Sequence, residues 1–171
     1  RRLVRQNRQS LRHFVIMACD LSPELAATIS DAPQLEFLFF YRSVNSPQGF
    51  AIKKLPHLHT VRFQMGDVSD ENLTWLAHQP VIREVQISYC NSVTDQTANL
   101  LVSCKSLRDL DVAGTSISAA GMRKLLGQLR LQELVYPAVH LDETDVQAIV
   151  ASELAVIDLR RADCIASFAP L

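Results

Sequence analysis

Apolar residues recur along the chain on two nested periods. In short stretches they alternate with polar ones, and the stretches return about every two dozen residues. Aligned on the longer beat, seven segments superimpose: LRHFVIMACDL from Leu11, LEFLFFYRSVN from Leu35, LHTVRFQMGDV from Leu58, IREVQISYCNSV from Ile82, LRDLDVAGTSI from Leu107, LQELVYPAVHL from Leu131 and LAVIDLRRADC from Leu154. Successive starts lie 24, 23, 24, 25, 24 and 23 residues apart. A fixed period in that range marks a repeated supersecondary unit.

Counting from the first residue of each block, positions one, four and six are apolar. Position four is Phe14, Leu38, Val61, Val85, Leu110, Leu134 and Ile157; position six is Ile16, Phe40, Phe63, Ile87, Val112, Tyr136 and Leu159. Side chains alternate faces along a strand, so positions four and six share one face and positions three, five and seven the other. Position nine is small or thiol-bearing (Cys19, Ser43, Gly66, Cys90, Thr115, Val139, Ala162), which predicts a tight turn there. Apolar residues return two places later as Leu21, Val68, Ile117 and Leu141, with Val93 displaced by one.

The second half of most blocks predicts a short helix. Ser22-Pro23-Glu24, Ser69-Asp70-Glu71, Thr94-Asp95-Gln96 and Asp142-Glu143-Thr144 each place a capping oxygen before acidic, polar or proline residues. Apolar pairs follow at helical spacing: Leu25 and Ile29, Leu73 and Leu76, Met122 and Leu125, Val146 and Ile149. Ser46 to His57 carries Gly49 and two prolines, so an irregular connection is expected there. Residues 1–10 read as the helical half of a preceding repeat, and residues 11–171 as one repeat domain.

The pattern L-x-x-L-x-L-x-x-C/N-x-L resembles the leucine-rich repeat family. The segment from Ile87 to Cys104 is similar to the cysteine-containing repeats of F-box-associated proteins, and Leu110 to Leu126 to repeats common in bacterial and eukaryotic arrays. The resemblance implies an α/β solenoid with a parallel sheet on its concave face and helices on the convex one. It also implies a recognition role, including that of a substrate-reading arm of an F-box-type ubiquitin ligase receptor. A spacer within a larger assembly is the architectural alternative.

On the face read as concave, positions three, five and seven begin with His13, Val15, Met17, Phe37, Phe39, Tyr41, Thr60, Arg62 and Gln64, with Met65 just beyond. Val15, Met17, Phe37, Phe39, Tyr41 and Met65 make an apolar patch. It is either a protein-binding anchor or a surface covered by flanking chain. Further along, Glu84, Asp109 and Glu133 occupy position three of consecutive blocks, with Asp111 and Asp158 at position five. Like charges repel by about 1 kcal/mol at 4 Å even in water, so a partner with exposed Lys or Arg would relieve the row. A solvated face compensated by Arg83, Arg108, Arg160 and Arg161, or a divalent ion between Asp109 and Asp111, would also answer it.

Composition narrows the classes. With 17 basic and 18 acidic residues among 171, the chain has a net charge of −1, which argues against a nucleic-acid binder. Its apolar runs fall far short of the roughly 18 residues of a membrane helix. Four cysteines, with no Cys-x-x-Cys, form neither a disulfide scaffold nor a zinc motif and point to free thiols in a reducing, cytoplasmic setting. Cys19 and Cys90 fall three strands apart, about 14 Å at the usual strand spacing, too far for a disulfide. Arg1, Arg5, Arg8 and Arg12 share one helical face; His57 and His59 read as turn and surface residues, and Trp75 as packing. No nucleophile elbow, phosphate loop or H-E-x-x-H is present, so neither an enzyme nor a cofactor or metal site is expected.

Overall fold

A computed structural model of the chain describes residues 7–45, 50–136 and 141–159. The expectations placed on Arg1, Arg5, Ser46, Gly49, Val139, Arg160, Arg161, Ala162 and Cys164 lie outside these residues. The architecture is α/β, built on an open, all-parallel sheet of seven strands. These are β1 (His13–Met17), β3 (Phe37–Tyr41), β5 (Thr60–Gln64), β6 (Glu84–Ser88), β7 (Asp109–Asp111), β8 (Glu133–Val135) and β9 (Val156–Asp158), adjacent in that order. Two short strands, β2 (Asp20–Leu21) and β4 (Val44–Asn45), pair in a second parallel ladder, which a bridge from Val44 to Asp67 extends.

The ladder register follows the sequence blocks position for position. Position four runs Phe14, Leu38, Val61, Val85, Leu110, Leu134, Ile157, and each is paired with the next. Leu38 through Leu134 in that row are fully buried, as are Phe40, Phe63, Ile87, Val112 and Tyr136 at position six. Phe40 and Phe63 stack with centroids 4.6 Å apart, and Phe50 meets Phe40 edge-on. Position two makes a second ladder: each backbone carbonyl of Arg12, Glu36, His59, Arg83, Arg108 and Gln132 accepts two N–H groups from the next block.

Helices fill most connections: α1 (Pro23–Ser30), α2 (Asp70–Leu73) running into a 3-10 turn (Thr74–His78), α3 (Asp95–Leu101), α4 (Ala119–Gln128) and α5 (Glu143–Val150). Ser22, Thr94, Ser118 and Asp142 each accept an N–H of the first turn, and the Asn72 side chain accepts the Ser69 N–H. The connection with two prolines carries no helix among its described residues. It buries Phe50, Ile52 and Leu55 instead, and the buried Gln79 side chain accepts from Leu55 N–H and donates to the Lys53 carbonyl. Trp75 is core, facing Phe50.

The caps are also linked between blocks. The Asp70 carboxylate, at the start of α2, accepts from the backbone and hydroxyl groups of both Thr94 and Thr97 around the first turn of α3. Asp95, at the start of α3, does the same for Ser118 ahead of α4, at 2.8 Å to its N–H and 2.6 Å to its hydroxyl. The equivalent residue of α4 is Ala119, and the link to α5 is instead an ion pair from Arg123 to the buried Asp145.

The turn after the strand falls at position eight, one residue before the expected position nine. Ala18, Arg42, Met65, Tyr89 and Gly114, equivalent in the first five blocks, all have φ between 49° and 68°. Only Gly114 carries the residue that signals this conformation. The other four are held there by ladder bonds such as Met65 N–H to the Ser88 carbonyl at 3.0 Å.

Candidate protein-binding face

Positions three, five and seven face away from the core, and their exposure sorts the expected site residues. Val15, Met17 and Met65 are open, at 53, 65 and 49% of their full accessible surface. Phe37, Phe39 and Tyr41, expected to point outward as part of the apolar patch, are half-buried. The reason is lateral packing: Phe39 meets Tyr41 edge-on at 6.3 Å, and Phe37 lies 5.6 Å from the His13 ring and beneath the Arg62 guanidinium at 5.4 Å. The Tyr41 hydroxyl reaches the Met65 sulfur at 3.6 Å, joining two blocks. Thr60, also expected to face outward, is buried with its hydroxyl on Glu84.

The acidic strip forms a groove of about 430 Å3 over β6, β7 and β8, with Arg62 at one end. Glu84, Asp109 and Glu133 are register neighbours there, as expected. Their compensation is not what the sequence suggested. Arg83 and Arg108 do not engage the strip; the Arg108 guanidinium donates to the carbonyls of Lys105 and Leu107. Glu84 is held instead by Arg62, whose Nε and Nη2 lie 2.9 and 2.6 Å from one carboxylate oxygen. Asp111 accepts from Gln86 at 3.0 Å, Ser88 at 2.9 Å and the Ala113 N–H at 2.9 Å. Asp109 and Glu133 make no hydrogen bond or ion pair among the described residues.

No family model matches the chain, nor does any curated protein. Among the described residues no group of three or more His, Cys, Asp or Glu is placed to hold a metal ion, and no helix is long and apolar enough to cross a membrane. Cys19, Cys90 and Cys104 are free thiols whose pKa values burial pushes up, which leaves them poor nucleophiles.

Two residues matter more to the face than the sequence pattern indicates. Arg62 bridges the halves of the face, lying over Phe37 while holding Glu84. It sits on the strand beside Glu84, and that adjacency was the available signal. Tyr89 is 47% exposed and follows Met65 along the position-eight row, so it extends the apolar patch. Its only mark in the sequence was an aromatic at the residue after a strand.

Proposed function

We propose that the chain is a leucine-rich repeat solenoid and that its sheet face, concave in that architecture, binds another protein without performing chemistry. One observation carries this reading. Val15, Met17, Met65 and Tyr89 stay exposed around half-buried Phe37, Phe39 and Tyr41, on the same face as the acidic groove. Apolar surface grouped this way favours burial against a partner, and aromatic and methionine side chains anchor such contacts. Asp109 and Glu133 add a preference for a partner that places Lys or Arg beside its apolar anchor.

The test compares wild type with two variants in capture from native lysate, followed by binding isotherms on whatever protein is retained. Phe39→Asp breaks the anchor at a half-buried ring. Asp109→Lys with Glu133→Lys reverses the strip while sparing Asp111, which has three donors to hold. A protein retained by wild type and lost by Phe39→Asp, with affinity that falls with salt and falls at least tenfold in the charge-reversed variant, is expected. Equal retention by a folded Phe39→Asp refutes the reading.

A further inference from the structure

At the end of the sheet where the strands begin, a second cleft of about 400 Å3 is bounded by Pro56, His57, His59, Val81 and Arg83. It lies at the position-two row, where His59, Arg83 and Arg108 precede β5, β6 and β7 and follow one another at strand spacing. His57, His59 and Arg83 are exposed. His59 Nδ1 lies 3.1 Å from the Thr60 hydroxyl, which leaves its Nε2 for a ligand. The Arg83 guanidinium makes no hydrogen bond or ion pair among the described residues. No carboxylate lines the cleft. The two acidic residues that adjoin it by register, Glu36 and Glu84, are each taken by another arginine, Arg12 and Arg62. The cleft therefore keeps the uncompensated charge of Arg83 on a chain whose net charge is −1.

We propose that this cleft is an oxyanion site that takes a phosphoryl group. A guanidinium offers a planar fork of donors to which an imidazole can add an N–H. The Thr60 hydroxyl donates to Glu84, so His59 Nδ1 donates to that hydroxyl and, in the imidazolium form, its Nε2 donates to a ligand. A planar carboxylate is satisfied by the fork alone, whereas a phosphoryl group has three acceptor oxygens and carries close to two negative charges. Pro56 and Val81 give the cleft apolar walls suited to the carbon stem of a phosphorylated side chain. The site is independent of the protein-binding face and stands or falls separately.

The experiment follows the His57 and His59 imidazoles by long-range proton–nitrogen NMR on the full chain at constant ionic strength. Three probes are titrated: inorganic phosphate, capped phosphoserine and capped serine. Saturable shifts confined to these two of the five histidines are expected with both phosphoryl probes and not with serine. Tighter binding of phosphoserine than of inorganic phosphate identifies a phosphorylated side chain as the source; equal affinity identifies the free anion. Arg83→Gln should weaken either by at least tenfold, and Arg83→Lys, which keeps the charge and loses the fork, by less. Shifts with serine, shifts at all five histidines, or an Arg83→Gln titration matching wild type would overturn the assignment.

Discussion

Asp70→Ala tests the link between blocks most directly. In the wild type this carboxylate accepts from Thr94 N–H at 2.9 Å, Thr94 hydroxyl at 2.7 Å and Thr97 N–H at 3.1 Å, and also from the Thr97 hydroxyl. Thr97 is fully buried, so its freed hydroxyl cannot turn to water, whereas its N–H keeps the Thr94 carbonyl at 3.0 Å. A hydrogen bond to a charged group contributes about 1.5–3 kcal/mol, but Asp70 itself is half-buried and the Thr94 donors can be rehydrated. Counting the buried hydroxyl and discounting the rest gives a loss of about 1.5–3 kcal/mol. For a chain of this length, each 1 kcal/mol lowers Tm by about 2–4 °C. Urea denaturation followed by circular dichroism measures it. The loss should also depend on pH. Partial burial pushes the Asp70 carboxyl up, but the donors of Thr97 and Thr94 outweigh it and hold it below its ordinary value. A carboxyl lowered on folding stabilises the fold above its unfolded pKa, near 3.9, and that contribution fades as pH falls through the folded value. The gap between wild type and Asp70→Asn should accordingly be full at pH 7 and shrink below about pH 4. An Asp70→Ala loss under about 0.5 kcal/mol, or a gap constant from about pH 7 to pH 3, would refute the link.

Two further substitutions probe the same architecture. At Gly121 an added Cβ would sit 2.3 Å from Asp95 Oδ1 and 2.9 Å from Ile117 Cγ2, so Gly121→Ala should push Asp95 off Ser118 and cost about 1–2 kcal/mol. In an Asp95→Ala background the cost should shrink, because only the approach to Ile117 Cγ2 remains and helix propensity favours alanine, and a double-mutant cycle reads the difference. Leu110→Ala, at a side chain only 1% exposed, should cost about 2–5 kcal/mol by urea denaturation. Asp109→Ala, next to it on the opposite face, should stay within about 0.5 kcal/mol.

What could be read in advance was whatever repeats at a fixed interval. The strand ladders, the buried rows at positions four and six and the caps at Ser22, Ser69, Thr94 and Asp142 all rest on one residue type returning at one position. Alternation and spacing are enough to place such features. The left-handed turn at position eight was invisible because Ala18, Arg42, Met65 and Tyr89 carry no glycine signal. The small residue at position nine drew attention to the neighbouring site. That conformation is imposed by the ladder and not by local preference, at an expected cost of about 1–2 kcal/mol per non-glycine residue.

The misread parts of the face share one cause. Comparing each residue only with its equivalents at one position leaves out what half-buries Phe37 and Phe39 and what offsets the repulsion among Glu84, Asp109 and Asp111. The structure resolves both diagonally. Arg62 at position five reaches Glu84 at position three of the next block, and lies over Phe37 at position three of the block before. Ser88 at position seven reaches Asp111 at position five. A long side chain spans the distance between neighbouring strands as readily as along one, so the arginine that offsets Glu84 comes from a different row, while Thr60 and Gln86 reach Glu84 and Asp111 within theirs. That leaves two kinds of acidic residue on one strip. Glu84 and Asp111 are already satisfied and serve the fold, whereas Asp109 and Glu133 have no donor among the described residues and keep their full attraction for a cation. If the proposed reading holds, a partner's Lys or Arg is expected over β7 and β8, two or three strands beyond Arg62 on β5, and the apolar anchor on the opposite side of it.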